Sequence, residues 1–182
     1  MQLEKKGYVE TAKEIAGQME KEGWVTLYTL AMEKAVAISE EVLSSMNSVT
    51  CQRRPGRVHG RIKQSESIVK KLQRKMLPLN IDSAAAQLSD MVGVRITCYY
   101  LDEIRLISDA LKGHKEVRFV KEKDYIRTPK NSGYRSLHLI VEVPVQGVGQ
   151  EQWVKVEIQI RTFAMDLWAC LDHELCYKGA RE

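Results

Sequence analysis

Cationic and aromatic side chains crowd into one stretch of the chain, residues 121–138. Its tyrosine, Tyr134, follows a glycine, and four cations stand near it in sequence: Lys123, Arg127, Lys130 and Arg135. An aromatic ring beside a flexible glycine can stack on a nucleotide base, while the cations neutralise phosphates. This composition favours a nucleotide-binding loop, and a solvated basic hairpin is the alternative interpretation.

Positive charge is concentrated a second time, between Arg53 and Lys75. Nine of these 23 residues are Lys or Arg and one is acidic, so the segment carries +8, twice the +4 of the whole chain. Within it, Ser67, Lys71 and Arg74 would lie on one face of a helix that has an apolar back. Such a face suits phosphates or nucleic acid, and a solvated surface helix is the alternative.

Two carboxylates lie at or near predicted strands, Asp90 just before one and Glu157 within another. We expect them to meet on the open face of a sheet. One would hold a divalent metal, and the other would hold it too or accept a proton. Phosphoryl chemistry needs such a pair together with cations for the phosphates. The P-loop pattern GxxxxGK[ST] does not occur in the sequence, which argues against an ordinary NTPase.

Hydrophobic periodicity predicts two N-terminal helices, a basic segment, and then the order β-α-β-β-β-α. This order is typical of an α+β domain whose small mixed sheet is covered on one face by helices. We predict two N-terminal helices that meet near Gly23, a helix from Ser65 or Ser67 to about Met76, a short helix or turn over 81–87, and a helix over 102–112. The predicted extended segments are 57–63, 94–100, 117–125 and 135–143. A turn is predicted over 144–150.

The clearest strand is residues 153–161, where Val154, Val156, Ile158 and Ile160 alternate with four polar residues. A buried strand seldom carries four polar residues on one face, so that face is either open to water or lines a site. Thr162 can cap the next helix. We expect that helix to pack inward through Ala164, Leu167, Trp168, Leu171 and Leu175.

Composition limits the remaining possibilities. The 182 residues are 44% hydrophobic, which is ordinary for a single globular domain, and apolar runs are too short to span a bilayer. The N-terminus lacks the apolar core of a signal peptide, so we expect a cytoplasmic protein without a membrane partner. The spacing of the cysteines predicts neither a zinc site nor a CxxC pair, and we expect mostly buried free thiols: Cys51, Cys98, Cys170 and Cys176.

Five segments, taken in order, resemble the motifs of the RelA/SpoT synthetase domain, and more narrowly the stand-alone small alarmone synthetases. They are HGRIKQSESIVKKLQRK, LSDMVGVRI, KDYIRTPKNSGYRSLH, VEIQIRT and MDLWACLDHELCYK. The resemblance covers about residues 58–178, and five ordered motifs are far more specific than any one of them. It implies a nucleotidyltransferase-like catalytic region over 51–182, preceded by a helical segment over 1–50 within a single domain.

The activity implied by the resemblance is transfer of the β,γ-pyrophosphate of ATP to the 3′-hydroxyl of GDP or GTP, with GMP as a further candidate acceptor. The product would be (p)ppGpp, the alarmone of the stringent response. Bifunctional members carry an upstream histidine-rich hydrolase domain. Only 56 residues precede Arg57, with no histidine before His59, so we expect a synthetase without hydrolase activity. The family also implies a homo-oligomer, a tetramer in its small members.

The resemblance also assigns roles to the ATP-binding residues. Arg61 and Arg95 would sandwich the adenine. The phosphates would be held by Lys63, Lys71 and Arg74, with Ser67 nearby. Asp90 would bind Mg²⁺, and Glu157 would be a second metal contact or the base that takes the 3′-hydroxyl proton.

On the acceptor side, the resemblance implies that Tyr134 stacks on guanine. Lys130, His138 and Gln159 would help to place the acceptor nucleotide. The family usually has Glu-His where this chain has Asp172-His173, so the shorter Asp172 would serve the acceptor site.

Three other functions remain as alternatives. A toxin of the same fold would pyrophosphorylate the 3′ end of tRNA, and a close relative would make an adenine alarmone. The intact loop from Lys130 to His138 favours a free guanine nucleotide over both. A non-catalytic RNA-binding module would use the basic segment alone. The presence of both Asp90 and Glu157 argues against it, because carboxylates repel RNA phosphates.

Overall fold

A five-stranded sheet organises the chain. The computed structural model describes residues 2–49, 56–146 and 150–178. Its elements are α1 (Gln2–Lys21), α2 (Trp24–Val49), β1 (Arg57–Ile62), α3 (Ser65–Arg74), α4 (Ile81–Gln87), β2 (Val92–Cys98), α5 (Leu101–Lys112), β3 (Arg118–Asp124), β4 (Leu137–Gln146), β5 (Glu151–Thr162) and α6 (Phe163–Lys178).

The strands lie in the order β1-β2-β5-β4-β3. β2 and β5 run parallel, and the other three neighbouring pairs are antiparallel. The mixed sheet confirms the predicted α+β class. Each predicted helix and strand is present, with its ends shifted by a few residues, and the two N-terminal helices meet at Gly23, whose φ of 76° suits glycine. The predicted boundary at residues 50–51, and Arg53 and Arg54 of the basic segment, lie outside the described residues.

The core lies between one face of the sheet and α2 with α5. Alternate residues of β5, from Val154 to Ile160, are buried, as their spacing predicts. At the sheet edge, β1 approaches α2 so closely that a Cβ on Gly60 would lie 2.7 Å from Cγ of Met32. The neighbouring residues of β1 therefore point to the opposite, polar face of the sheet.

The predicted turn over 144–150 is wrong at its start. β4 continues to Gln146, and Pro144 is in register with Trp153 of β5. The pairing of β4 with β3 ends at Glu142, so beyond that residue β4 has a neighbour on one side only. A proline, which has no N–H to donate, is tolerated there as it is on an edge strand. Residues 147–149 lie outside the described part of the chain.

The inward packing predicted for α6 is also wrong. Leu167, Trp168 and Leu171 are 63%, 50% and 48% exposed, and Ala164 is exposed. α2 and α5 already cover the apolar face of the sheet, whereas α6 contacts β5 and β2 from the polar side. The side chain of Leu175 lies outside the described residues.

The cysteines follow the prediction only in part. Cys98 is buried, but Cys170 on α6 is exposed. Cys51 and the side chain of Cys176 lie outside the described residues. Within the described ranges, none of the helices combines the length and apolar character that crossing a membrane requires.

Candidate functional site

Strand register aligns the predicted site residues on the polar face of the sheet. Side chains at paired positions of neighbouring strands lie side by side, so residues far apart in sequence become neighbours. The two aligned rows are Arg61–Gly93–Glu157 and Arg95–Gln159–His138. Gly93 has no side chain, and the space above it is taken by Arg61, whose Cγ would lie 3.7 Å from a Cβ at that position. The alternation of polar residues in β2 and β5 thus creates one continuous polar surface.

A cluster of two lysines and one acid, Lys63, Lys71 and Asp90, occupies one side of this surface. We call it the donor side. Lys63 follows β1, Lys71 lies on α3, and Asp90 precedes β2. Oδ2 of Asp90 accepts hydrogen bonds from Lys63 Nζ at 2.9 Å and from Lys71 Nζ at 2.6 Å. Both lysines lie within bonding distance of a single oxygen, so the cluster is held by charge.

Asp90 is only 14% exposed. Burial by itself would raise its pKa, but the hydrogen bonds and charges of Lys71 and Lys63 outweigh burial and lower the pKa below its ordinary value. The carboxylate is therefore ionised at neutral pH. Its other oxygen, Oδ1, is buried and has no hydrogen-bond partner among the described residues.

The other predicted ATP-binding residues surround this cluster. Ser67 and Arg74 are exposed on α3, on the same helical face as Lys71, while Ile68 and Leu72 are buried on its back. The basic helix with an apolar back is therefore confirmed. Within the described structure, contacts bring only Lys63, Lys71 and Asp90 together, and Ser67 and Arg74 stay at the rim.

A second cluster is centred on Glu157. We call it the acceptor side: Tyr134, His138, Glu157, Gln159 and Arg161. His138 Nδ1 lies 3.4 Å from Glu157 Oε1, and Gln159 Nε2 donates to Glu157 Oε2 at 2.7 Å. Burial would raise the pKa of Glu157, but the bond to His138, the bond to Gln159 and the charge of Lys71 lower it to about 2. Glu157 is therefore a partly buried carboxylate that is ionised at neutral pH.

The hydrogen bonds on the acceptor side connect Arg161 to Glu157. Arg161 can only donate, so Tyr134 Oη accepts from its Nη2 at 2.5 Å. Tyr134 Oη also lies 2.9 Å from His138 Nε2, and the tautomer of His138 determines which of the two donates. Arg161 also donates to Gln159 Oε1 at 2.5 Å. Two chains of hydrogen bonds thus begin at Arg161 and converge on the two oxygens of Glu157.

The loop that carries Tyr134 is fixed by its own contacts. The ammonium of Lys130 lies 4.7 Å from the centre of the Tyr134 ring and 5.0 Å from that of Tyr125. Gly133 has a φ of 79°, which favours glycine, and Trp168 of α6 donates from Nε1 to the carbonyl of Ser132 at 3.1 Å. The loop therefore presents Tyr134 between β4 and α6.

The four cations near Tyr134 in sequence are not all near it in space. Lys130 lies over its ring, and Lys123 is in register with His138 on the neighbouring strand. Arg127 is directed to Asp124 at 3.7 Å, and Arg135 is exposed. The second cation close to the ring is Arg161, at 5.0 Å, which comes from β5.

Asp172 is half-buried on α6. It follows Trp168 by one helical turn and so shares the helix face that contacts the loop. The side chain of His173 lies outside the described residues.

Sequence reasoning assigned no role to Arg161 or Asp166. Arg161 is 4% exposed, and its Nη1 donates to Asp166 Oδ1 at 3.1 Å. The same oxygen lies 3.2 Å from Nη1 of Arg95. The alternation in β5 placed Arg161 on the polar face and could have identified it as a site residue. Nothing in the sequence indicates that Asp166 contacts either arginine.

The described residues contain no group of three or more His, Cys, Asp or Glu side chains suited to a metal ion. The predicted pair, Asp90 and Glu157, supplies two carboxylates. Lys71 bonds to Asp90 and also lowers the pKa of Glu157, so both acids lie near its ammonium. Two carboxylates and substrate phosphates form an ordinary Mg²⁺ ligand set. The unpartnered Oδ1 of Asp90 fits that use.

Comparison with known proteins places this geometry in a family. The GTP pyrophosphokinase YwaC of Bacillus subtilis is 49% identical over 118 residues, and the GTP pyrophosphokinase YjbM of the same organism is 44% identical over 121 residues. These matches cover 65% and 66% of the chain. The chain spans 56% of the length of each relative.

The fold is shared with a solved structure, that of the small alarmone synthetase 1 of Bacillus subtilis bound to its product pppGpp. The TM-score is 0.77 at 36% sequence identity, over 87% of this chain and 82% of that one. The match confirms the predicted nucleotidyltransferase-like fold. A family model described as the region found in RelA / SpoT proteins matches residues 60–182, more than half of the sequence. The chain therefore belongs to the RelA/SpoT family.

Proposed function

We propose that the protein transfers the β,γ-pyrophosphate of ATP to the 3′-hydroxyl of GDP or GTP and so makes (p)ppGpp. One observation carries the proposal. An ionised carboxylate, Glu157, is bonded to a network that contains the ring of Tyr134 and lies near the ammonium of Lys71. A phosphate-binding cation and a base-stacking ring thus flank one acid. The similarity to proteins named GTP pyrophosphokinase supports the same activity.

The donor side would hold ATP. Arg61 and Arg95 stand in neighbouring rows of the polar face and would stack on the adenine. The triphosphate would be bound by Lys63, Lys71 and Arg74, with Ser67 at the start of the same helix. Lys63 and Lys71 both bond to Asp90 in the free protein, so they would exchange this carboxylate for phosphate when ATP binds.

We propose that Asp90 and Glu157 hold Mg²⁺ together with the phosphates. The ion, when bound, would neutralise the charge that develops on the transferred group. Asp90 offers its unpartnered Oδ1 for this contact. Because a general base works best with a pKa near the working pH, a pKa of about 2 favours the metal contact over proton acceptance as the role of Glu157.

The acceptor side would hold the guanine nucleotide. Its base would stack on Tyr134 in the position over the ring that Lys130 now occupies, which would release Lys130 toward the phosphates of the acceptor. His138, Gln159 and Asp172 would orient the nucleotide. Burial raises the pKa of Tyr134, so its hydroxyl stays protonated and keeps its hydrogen bond with His138.

The transfer itself exchanges one bond to phosphorus for another. The 3′-oxygen of the acceptor bonds to the β-phosphorus of ATP, and the bond from that phosphorus to the oxygen bridging it to the α-phosphorus breaks. AMP leaves with this oxygen and its electron pair, and the 3′-hydroxyl proton passes to solvent water. The residues named above align the reactants and stabilise the charge, which is most of what phosphoryl-transfer enzymes contribute.

We further propose that the protein acts in the cytoplasm as a homo-oligomer. The exposed apolar side chains of α6, Leu167, Trp168 and Leu171, offer a surface for association. Sedimentation of the purified protein would test this. A monomer at all concentrations would contradict it.

The test of function is a transfer assay with ATP labelled in its terminal phosphate and Mg²⁺. GMP, GDP, GTP, ATP and bulk tRNA serve as separate acceptors, and thin-layer chromatography resolves the products. We expect label on GDP and GTP. Label on tRNA would instead identify a translation toxin, and label in an adenine nucleotide that carries an added 3′-pyrophosphate would identify an adenine alarmone synthetase. RNA binding without transfer to any acceptor would favour a non-catalytic module.

A further inference from the structure

Arg161 is the most extensively bonded side chain on the polar face. It is buried, and its guanidinium donates to four groups: Tyr134 Oη at 2.5 Å, Gln159 Oε1 at 2.5 Å, Asp166 Oδ1 at 3.1 Å and Ser136 Oγ at 3.4 Å. The first two lead, through His138 and directly, to the two oxygens of Glu157. Arg161 is thus connected to Glu157 through intervening side chains on both paths.

Asp166 connects Arg161 to the opposite side of the site. Its Oδ1 lies within bonding distance of Arg161 and, at 3.2 Å, of Arg95, which is proposed to stack on the adenine. One carboxylate oxygen thus joins the guanidinium proposed to stack on the adenine to the guanidinium of the acceptor-side cluster. The resulting path of direct contacts is Arg95–Asp166–Arg161–Tyr134.

We propose that Arg161 and Asp166 are positioning residues that align Glu157 and link the two nucleotide sites, so that each nucleotide binds more tightly when the other is bound. This inference rests on the proposed function. Neither residue touches the reacting atoms. They act through Tyr134, Gln159 and Arg95, which contact the nucleotides.

The physical reason is the cost of ordering shared side chains. Arg95 and Asp166 are partly exposed, with 32% and 24% of their side-chain surface accessible, and so keep some freedom in the free protein. A nucleotide that fixes Arg95 also fixes Asp166, and through it the fork of Arg161. The nucleotide that binds first then loses binding free energy to the ordering of these side chains. The second nucleotide binds more tightly because the side chains are already ordered.

A buried ion pair can also serve stability alone. The two roles differ in what they do to binding. A destabilised variant contains fewer folded molecules, which lowers the stoichiometry of binding and the apparent kcat. It does not change the ratio between the affinities measured with and without the second nucleotide. That ratio is the coupling, and its value is the same whichever nucleotide is titrated.

The experiment is calorimetric titration of the α,β-methylene analogue of ATP, which cannot transfer its pyrophosphate, with Mg²⁺ and with or without saturating GDP. We expect the analogue to bind at least about fivefold more tightly when GDP is present. In Asp166→Asn, which keeps the shape and removes the charge, the ratio should fall to about one. Arg161→Lys should do the same, because an ammonium cannot bridge the four acceptors as a guanidinium fork does.

The matched control is Glu116→Gln, which removes a carboxylate from the ion pair with Lys34 far from the site. Its ratio should equal that of the unmodified protein. In Arg161→Lys, kcat should also fall by up to about a hundredfold, as expected when a reacting geometry shifts by about 1 Å. If Asp166→Asn does not fold, Arg161→Lys decides the question.

Two results would overturn the inference while leaving the proposed function intact. One is an unmodified protein that transfers pyrophosphate but shows a ratio of one. The other is an unchanged ratio in both variants. Failure of the unmodified protein to bind either nucleotide would overturn the proposed function, and the inference with it.

Discussion

The donor side and the acceptor side of the polar face are built on different principles. On the donor side, two long lysine side chains from different segments meet on one oxygen of Asp90, and Ser67 and Arg74 stay exposed at the rim. On the acceptor side, tyrosine, histidine, glutamine and arginine side chains have defined donors and acceptors that converge on Glu157.

The difference follows from the chemistry of the two proposed ligands. A triphosphate presents many charged oxygens, and lysine acts on it as a mobile point charge that needs little fixed geometry. A base and a reacting hydroxyl must be oriented, which requires directional bonds between groups held in place beforehand. Under the proposed function, the two lysines exchange Asp90 for phosphate, whereas the acceptor-side residues are already bonded to one another.

The largest effect is expected for Glu157→Gln, which removes the acid between the two sides. Transfer should fall by about a thousandfold, because the lost charge acts on the reacting group. ATP binding should stay largely intact, since the lysines remain. Steady-state kinetics and titration of the non-reactive ATP analogue measure the two quantities. Glu142→Gln, a half-buried carboxylate of β4 on the same sheet, is the control. Normal turnover would remove Glu157 from the mechanism.

A donor-side effect is expected for Lys71→Ala. A hydrogen bond to a charged group contributes about 1.5–3 kcal/mol, so affinity for the ATP analogue should fall by about 10- to 150-fold. Affinity for GDP should change little. The neighbouring Lys70→Ala, on the exposed side of the same helix, should have a much smaller effect. An equal loss of GDP affinity would show that the two sides are not separate in the way the contacts indicate.

An acceptor-side effect is expected for Tyr134→Ala. Stacking of a base on an aromatic ring contributes about 1–3 kcal/mol, so GDP affinity should fall by about 5- to 150-fold while ATP affinity is nearly kept. Tyr134→Phe keeps the ring and loses the hydroxyl that joins Arg161 to His138. It should lower kcat more than GDP affinity. If Tyr134→Ala and Tyr134→Phe lower GDP affinity equally, stacking on the ring does not contribute to GDP binding.

The smallest effect is on stability and concerns acid pH. Glu157 has a folded-state pKa of about 2 against an ordinary value of 4.5, so the unfolded chain binds more protons between these values. Its contribution is fully present above about pH 4.5 and is lost as pH falls toward 2. In urea denaturation across this range, Glu157→Gln should reduce the pH slope of the unfolding free energy by up to about 1.4 kcal/mol per pH unit. An unchanged slope would show that His138 and Gln159 do not hold the ionised form.

Local patterns were sufficient to predict the elements of the fold. Apolar residues alternate with polar ones in β2 and β5, and they recur every three or four residues in the helices. These patterns determine which face of each element is buried in the core. The same alternation placed Glu157 and Gln159 on a polar face. Five ordered motifs indicated the family before any geometry was known, because they specify residue types at fixed spacing.

Long-range packing decided the rest. Pro144 could remain in β4 only because β3 ends its pairing at Glu142, and the exposure of Leu167 and Leu171 follows from the prior covering of the apolar face by other helices. Both facts depend on elements that are distant in sequence from the residues concerned.

The role of Arg161 is the clearest case. Its sequence position indicated a polar face and nothing more, but its partners come from the loop, from β5 and from α6. The sequence by itself determined the family, the strands and the kinds of side chain in the site. Only the tertiary structure decided which of them are bonded to one another, because hydrogen bonds and ion pairs act over a few ångströms and the chain alone does not fix those distances.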